Sequence, residues 1–363
     1  MSLNPSSNSS LPPTAAQRYP QAGLVDLATR LLQKAGLDTD KAICVSSYLV
    51  AADAMGHSTH GLALMPLYLD ALASGGMTPT GSYQVLSDRG SCVTWEGRHL
   101  PGAWLIHQAL DLAMDRVAQL GVVTVAIGNS YHTGALAVYL PRVTARGYVV
   151  QLQCSSPAAS GIAPFGGTRA LFTPNPVAAA YPTQGDPVVM DISSSITTLN
   201  SARQLKARGE RFAGAWAMDA QGNPTDDPDV VLSGQGSLLP VGGTDHGHKG
   251  YAMALLNEAM TQGLSGQGRA DQPKGMSLSV LIQVTDPAAF AGLDAFTRQT
   301  QWTADACRAN PPLPGGPAVR LPGQAGLAKQ RAAAVDGVPL IGAVVNGLRA
   351  YGDKLGVDLT LLG

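Results

Sequence analysis

Five of the seven histidines lie in three short segments that contain glycine, a placement that suits proton transfer at a bound substrate. Glycine leaves the backbone free to approach a ligand, and imidazole changes its charge near physiological pH. The alternative for each ring is a local hydrogen bond to the backbone. In chain order the five are His57 and His60 in 56–61, His132 in 128–134, and His246 and His248 in 242–250.

The spacing of these residues also leaves a zinc site open as a second interpretation. His57 and His60 are three residues apart, and His246 and His248 are two apart. Zinc in proteins takes three or four ligands from Cys, His, Asp and Glu. Asp245 adjoins the second pair, but no cysteine lies close in sequence to either. The sequence therefore predicts no metal centre.

Two segments could hold phosphate or ribose. Residues 242–250 carry Lys249 and lead into a predicted helix, whose first N–H groups and positive dipole end favour an anion. Residues 191–195 end a predicted strand with a carboxylate and three hydroxyls, which could bond sugar or phosphate oxygens. The alternatives are a flexible linker with a solvated lysine for the first segment and a helix cap for the second.

Mixed α and β elements must position these segments. Apolar residues at helical spacing predict helices, and short β-branched or alternating runs predict strands in the middle of the chain. The predicted helices cover 24–32, 40–55, 62–72, 104–120, 135–146, 251–264, 325–334 and 340–355, and the predicted strands 83–95, 122–127, 149–153, 177–181, 188–192 and 278–284. The polar segment 205–239 is predicted to be rich in loops, with turns at 219–222 and 226–228.

The sequence lacks the signature of a Rossmann dinucleotide fold, which places G-x-G-x-x-G between a strand and a helix. The nearest match, 263–268, follows a predicted helix, and the phosphate-loop pattern G-x-x-x-x-G-K-[ST] is missing. A nucleotide bound by this chain would therefore need another geometry.

Composition narrows the class of protein. The 363 residues are 45% hydrophobic and 13% charged with a net charge of −1, which allows a large core and argues against a basic face for nucleic acid or anionic membranes. Four cysteines without a C-x-x-C pair predict free thiols in a reducing compartment. Residues 1–18 predict a disordered tail without features of a secretory signal, and no apolar run is long enough to span a membrane. We therefore expect a cytoplasmic protein.

In order and spacing, the motifs together resemble the malate/L-lactate dehydrogenase family of oxidoreductases, which does not use a Rossmann fold. The resemblance runs from about Asp53 to beyond Gly323. Its motifs are DAMGHSTHG at 53–61 with Pro66 and Tyr68, SYHTGA at 130–135, PFGG at 164–167, TPNP at 173–176, DISSS at 191–195, HKG at 248–250 and LPG at 321–323.

The resemblance implies an α/β (mixed α+β) protein that transfers a hydride between NAD or NADP and a small 2-oxo or 2-hydroxy acid. The cofactor would lie across a mostly antiparallel sheet in residues 81–299. A second, α-rich lobe would combine 19–80 with about 300–363. Two copies would form a homodimer with the site at the interface.

Motif positions also imply roles for individual residues. His60 matches the histidine that donates a proton to the carbonyl oxygen, and His132 matches a second active-site histidine. Thr59 and Tyr68 would lie on the substrate side. The positions that match cofactor-binding residues are Ser156, Asp191, Ile192, Ser193, Ser194, Ser195, His248, Lys249, Gly323 and Gln324.

Two positions depart from the family's pattern. Leu64 replaces an arginine with which many relatives hold the substrate carboxylate, so the carboxylate must be held elsewhere or the substrate differs. Gln324 replaces a common glutamate, whose loss would remove repulsion of the 2′-phosphate of NADP; this is a hypothesis about cofactor preference. Two alternatives stay open, an NADPH-dependent reductase of cyclic imino acids and a catalytically silent homologue that binds the cofactor.

Overall fold

The computed structural model describes residues 16–362 and places twelve strands there. In chain order they are β1 (Gln17–Tyr19), β2 (Gln84–Asp88), β3 (Cys92–Glu96), β4 (Val122–Ser130), β5 (Val149–Ser155), β6 (Val177–Tyr181), β7 (Val188–Ile192), β8 (Ala217–Asp219), β9 (Pro224–Thr225), β10 (Gly236–Leu238), β11 (Leu278–Thr285) and β12 (Val338–Leu340). Seven form the central sheet in the order β2-β3-β4-β11-β5-β6-β7, in which the β3–β4 pair is parallel and every other pair antiparallel. The predicted fold class is confirmed.

The helices of residues 16–362 surround this sheet. They are α1 (Gln21–Lys34), α2 (Thr39–Met55), α3 (Met65–Ser74), α4 (Gly102–Leu120), α5 (Pro141–Thr144), α6 (Leu199–Arg208), α7 (Asp229–Leu232), α8 (Gly243–His246), α9 (His248–Glu258), α10 (Leu293–Arg308), α11 (Gln324–Asp336) and α12 (Gly342–Leu355). Helix α4 joins β3 to β4 and packs on β4 and β11, with its apolar face buried in the main core. None of these helices is long and apolar enough to cross a membrane.

The two ends of the described chain meet in one helical region. Strand β1 pairs with β12, α11 packs on α2, and α12 packs on α3 and α1. This agrees with a lobe built from both ends, but the predicted boundary near 300 falls inside α10, where the Thr300 hydroxyl donates to the Pro182 carbonyl beside β6 at 2.8 Å. One buried apolar core continues from these helices into the sheet. The exact division into domains stays a prediction.

The predicted tail, 1–18, is too long at its C-terminal end. Residues 1–15 lie outside the described residues, whereas Gln17 and Arg18 pair with Leu340 and Pro339. Buried Tyr19 anchors this strand, because its apolar ring joins the main core. The tail prediction therefore fails for its last two residues.

The loop-rich segment 205–239 contains the predicted turn at 219–222, but also regular structure that the sequence did not indicate. Strands β8, β9 and β10 form a second small sheet there, and α7 packs against it. This unit has its own apolar core, which includes Phe212, Ala217, Val231 and Leu238. These side chains are widely spaced between turns, so the segment shows no helical or strand periodicity in sequence.

The predicted helix over 135–146 is interrupted. A 3₁₀ turn covers Leu136–Tyr139, and α5 begins anew at Pro141. Proline lacks the N–H that a continuous helix would need at this position, but it fits the first turn of a new one. The N–H of Ala137 lies in the first turn of the 3₁₀ segment, where it lacks a helical partner, and it bonds outside the helix in the site described next.

Candidate active site

The turn that carries the first two histidines follows α2 directly. Gly56 ends α2 in the left-handed conformation (φ 87°), which glycine adopts without steric cost. The N–H of His57 then bonds to the Ala52 carbonyl at 2.8 Å, and the N–H of His60 bonds to the His57 carbonyl at 2.8 Å. These bonds fold 56–61 into a tight turn with a fixed position at the end of α2.

The structure brings the two predicted catalytic histidines together. The rings of His60 and His132 are nearly parallel, at an angle of 15°, with their centroids 6.0 Å apart. His132 lies in the loop after β4, which is a central strand of the sheet. Thr59 Oγ1 is 2.8 Å from His60 Nδ1 and orients that ring. The pair therefore joins the helical region to the sheet.

Hydrogen bonds determine the proton position on His132. Its Nδ1 accepts the N–H of Gly134 at 3.3 Å and is 3.0 Å from the buried Tyr68 hydroxyl. Because a backbone N–H can only donate, the neutral ring carries its proton on Nε2. Burial and the nearby His60 lower the pKa of His132 to about 3. His132 is thus a neutral N–H donor at physiological pH.

Asp191 at the end of β7 supplies negative charge beside the turn. It accepts the N–H of Ala137 at 2.9 Å, at the first turn of the 3₁₀ segment, and its charge interacts with His57 and His60. Burial raises the pKa of Asp191, and these partners oppose that rise. Burial lowers the pKa of His60, whereas Asp191 acts in the opposite direction. Sequence patterns placed Asp191 with cofactor-binding residues and missed its proximity to His60.

A cavity of about 720 Å³ opens beside this carboxylate, between β7 and the start of α11. Its lining includes Met55, Gly56, His57, Ala137, Val189, Asp191, Ile192, Arg320, Pro322, Gly323 and Lys329. Gly323 has φ of +80°, and a Cβ there would lie 2.6 Å from the Val189 side chain and 2.7 Å from its carbonyl oxygen. Only glycine therefore allows α11 to begin this close to β7.

The chain after β7 leads from this cavity to the start of α9. The side chain of Ile192 is 45% exposed, whereas Ser194 and Ser195 are buried, and their hydroxyls donate to the Pro174 and Thr197 carbonyls. Ser193 bonds to Ser195. A Cβ on Gly250 would lie 2.6 Å from the Ser194 carbonyl oxygen, so the first turn of α9 packs directly on this segment. The serine hydroxyls thus fix the backbone rather than project from it.

His248 and Lys249 lie in the first turn of α9, and both are exposed. The His248 ring contacts the edge of Phe165. Lys249 therefore places a mobile positive charge at the dipole end of an eleven-residue helix, as the sequence predicted for a phosphate position.

Three other predicted positions are now placed. Ser156, after β5, donates its N–H to Thr173 Oγ1 at 3.3 Å and does not line the 720 Å³ cavity. The Gln324 side chain accepts the Leu321 N–H at 3.1 Å and so stabilises the start of α11. Leu64 ends the 3₁₀ turn Leu62–Leu64 and packs against the main core.

Sequence reasoning also missed two cations of the cavity, Arg320 and Lys329. Both are exposed, and the ion pairs found within residues 16–362 involve neither. Arg320 lies three residues before Gly323 and Lys329 six residues after it, a spacing that gives no recognisable signal in the sequence. In the same residues no cluster of three His, Cys, Asp or Glu side chains could hold a metal ion.

Comparisons with known sequences and with solved structures all find dehydrogenases. The sequence profile of a family described as malate/L-lactate dehydrogenase matches residues 20–349. The L-lactate dehydrogenase of Cupriavidus necator is 31% identical over 339 residues, 91% of this chain and 96% of that protein. The (2R)-3-sulfolactate dehydrogenase (NADP(+)) of Chromohalobacter salexigens is 32% identical over 90% of this chain and 95% of its own. The crystal structure of malate dehydrogenase from Entamoeba histolytica superposes with a TM-score of 0.89 at 22% identity, covering 95% of this chain and 99% of that one.

Proposed function

Because the chain belongs to the malate/L-lactate dehydrogenase family, we propose that its two-histidine site interconverts a small 2-oxo acid and the corresponding 2-hydroxy acid. The chain is an oxidoreductase of 2-hydroxy acids that uses NAD or NADP, since its relatives include enzymes named for each of these cofactors. The observation that carries the assignment of residues is the parallel His60–His132 pair, because His60 interacts with Asp191 and this carboxylate lines the 720 Å³ cavity.

Reduction of a 2-oxo acid needs one hydride at the carbonyl carbon and one proton at the carbonyl oxygen. The nicotinamide cofactor, when bound, supplies the hydride. We assign the role of proton donor to His60. The charge of Asp191 acts to raise the pKa of this ring, and the Thr59 hydroxyl orients it. In the oxidation direction neutral His60 accepts the hydroxyl proton, so the same group serves both directions.

His132 has a different proposed task. With its proton on Nε2 and its pKa at about 3, the ring stays neutral and can donate a hydrogen bond to the substrate oxygen without transferring a proton. Tyr68 holds the ring through Nδ1. Two imidazoles with different protonation behaviour can therefore divide proton transfer and polarisation between them.

The residues around the cavity fit a dinucleotide. Its volume of about 720 Å³ is within the range of small-molecule sites, and Gly323 allows the backbone to approach closely. Arg320 and Lys329 on one side and Lys249 at the start of α9 offer positive charge for phosphate groups. We propose that Asp191 and Ile192, between these two regions, contact the bound cofactor along its length.

Replacing Lys249 by alanine should raise the cofactor dissociation constant by about 10-fold, because one charge-assisted contact to phosphate is lost. The kcat at saturating cofactor should stay within about twofold of the parent value. Fluorescence titration with NADH and NADPH measures the first quantity. Lys206→Ala, which removes an exposed lysine paired with Asp229, is the matched control. Equal effects of the two substitutions would place the phosphates elsewhere.

The reaction is tested by following absorbance at 340 nm with NADH and with NADPH against small 2-oxo acids, including pyruvate and oxaloacetate, and against cyclic imines. Oxidation of the cofactor with one 2-oxo acid supports the proposal and gives the cofactor preference. Turnover confined to the imines would replace it with an imine reductase. Cofactor binding without turnover on the whole panel would favour a silent homologue.

The remaining expectations from the resemblance are also part of the proposal. We infer a cytoplasmic homodimer in which the α-rich lobe and the sheet domain enclose the cofactor. In support, the cavity is lined by α2 and α11 on one side and by β7 on the other. Strand β2 is an exposed edge of the sheet with Val85 and Leu86 half exposed, a surface that a second copy could cover. Sedimentation velocity would measure the oligomeric state.

A further inference from the structure

Asp53 is a buried carboxylate that the proposed chemistry does not use. It lies in the last turn of α2 and is 4% exposed. Its Oδ2 accepts the N–H of Leu62 at 2.7 Å. Leu62 begins the 3₁₀ turn that runs into α3, so this N–H is one of the unpaired donors at a helical start. One carboxylate therefore connects the end of α2 to the start of the next helical segment.

Residues 56–61, which include His57, Thr59 and His60, form the turn that connects the end of α2 to Leu62. At its beginning, the N–H groups of Gly56 and His57 bond back to α2. At its end, the Asp53 carboxylate fills the space beside Gly61, where a Cβ would lie 2.3–2.4 Å from the carboxylate atoms. The turn is thus held to α2 at both ends, and the second attachment depends on the Asp53 side chain.

The Asp53–Leu62 hydrogen bond is also connected to His132, through helix α3. Helix α3 carries Tyr68, whose hydroxyl is 3.0 Å from His132 Nδ1. A shift of Leu62 would move the start of α3 as well as the His60 turn. Asp53 touches neither imidazole, but its position affects the orientation of both.

The location is unfavourable for a charge. The C-terminal end of a helix carries the negative end of its dipole, and burial removes water from the carboxylate. Burial raises the pKa of Asp53 to about 7, and the Leu62 hydrogen bond opposes this only in part. The charged or titratable groups on the surrounding elements are His57 and His60 in the turn and Lys329 of α11, which lies over Gly56. None of them contributes to the shift of Asp53.

We propose that Asp53 is the positioning residue of this site: by accepting the Leu62 N–H beside Gly61, it fixes His60 and the Tyr68 helix in their mutual arrangement. This inference rests on the proposed role of His60. Since the carboxylate is disfavoured where it lies, its loss should affect alignment more than folding. A displacement on the order of 1 Å at a reacting group can lower turnover by about 100-fold.

The first test is Asp53→Leu, which keeps the approximate shape of the side chain but removes the oxygen that accepts the Leu62 N–H. We expect kcat to fall about 10- to 100-fold, with the dissociation constant for NADH or NADPH and the circular dichroism spectrum unchanged. The ¹H–¹³C resonance of the His60 ring should shift, a signal that requires no turnover. Asp53→Asn, whose amide oxygen can still accept the Leu62 N–H, should restore the parental values. Asp40→Leu, on the exposed side of the same helix, is the matched control and should leave all four quantities unchanged.

The second test is a double-mutant cycle between positions 53 and 61. Gly61→Ala should reproduce the loss of kcat and the His60 shift, because its methyl group would displace the carboxylate. In the Asp53→Ala background, Gly61→Ala should cause little further change, because the space is vacant. An equal loss in both backgrounds, or Asp53→Leu with parental kcat and an unshifted His60 resonance, would overturn the proposal.

The resonance readout separates the two hypotheses. If the parent protein reduces no 2-oxo acid, the proposed function fails, but a shifted His60 resonance in Asp53→Leu and Gly61→Ala still supports the positioning role. If the parent is active and these substitutions leave the resonance and kcat unchanged, the positioning role fails alone.

Discussion

Replacing His60 by alanine should lower kcat by about 100- to 10,000-fold, the usual contribution of a general acid or base. The substitution removes the ring that Asp191 and Thr59 orient, and it leaves Lys249 and the Gly323 turn in place. The dissociation constant for NADH or NADPH should therefore change by less than about threefold. Single-turnover stopped flow at 340 nm separates the chemical step from binding.

His99→Ala is the control for loss of an imidazole, since that ring bonds to the Met276 carbonyl and has no proposed role in the site. It should retain parental kcat. A similar loss of cofactor affinity and of kcat in His60→Ala would indicate that His60 maintains the structure of the cleft. In that case another group must be the proton donor.

Acid should destabilise the folded protein through His132. Its pKa is about 3 in the folded chain and about 6.5 in an unfolded one, so below pH 6.5 the unfolded chain binds a proton that the folded chain does not. Stability therefore falls as the pH decreases from 6.5 towards 3. Because His132 is only partly buried, we expect about 2 to 3 kcal/mol at pH 4 rather than the full effect of the shift.

Urea unfolding of the parent and of His132→Gln at pH 7.5 and pH 4 measures this contribution. The free energy of unfolding of the parent minus that of His132→Gln should be about 2 to 3 kcal/mol smaller at pH 4 than at pH 7.5. His246→Gln, at an exposed position, reports the effect of losing an imidazole on the surface. A constant difference between parent and His132→Gln would mean that His132 takes up a proton in the folded state.

Local sequence determines much of this site. Gly56 and Gly61 around His60, and the glycines of 128–134 around His132, predicted loops. The structure places His60 in a turn and His132 in the loop after β4, but residues 128–130 still belong to that strand. The strand before residue 191 was also predictable, because β-branched and apolar residues precede the polar run. The predicted roles of the individual residues remain to be tested by substitution.

Other features depend on contacts between distant segments, which no local pattern encodes. Asp191 reaches the His60 turn only because β7 is the edge strand that faces α2 and α11. Glycine is required at position 323 because Val189, which is far away in the sequence, leaves no space there for a Cβ. The second small sheet escaped prediction because its apolar residues lie far apart between turns.

Leu64 stands where many relatives have an arginine that holds the substrate carboxylate, so another group must hold it here or the substrate differs. Leu64 packs against the core, so this position offers no charge to a substrate carboxylate. His57, Arg320 and Lys329 are the positively charged or protonatable side chains among the residues that line the cavity. The relative rates with mono- and dicarboxylate substrates in the 340 nm assay will show whether these groups take over the role of the missing arginine.

The most direct test of the central claim is the pH dependence of kcat/KM in both directions of the reaction. Burial lowers the pKa of His60, so the ionisation should appear below about 6.5. Reduction needs the protonated ring and should decline as the pH rises through that value, whereas oxidation needs the neutral ring and should increase. The two profiles should therefore share one pKa with opposite slopes, and His60→Ala should lack it in both. Slopes of the same sign, or the same ionisation in His60→Ala, would contradict the assignment of His60 as the proton donor and acceptor.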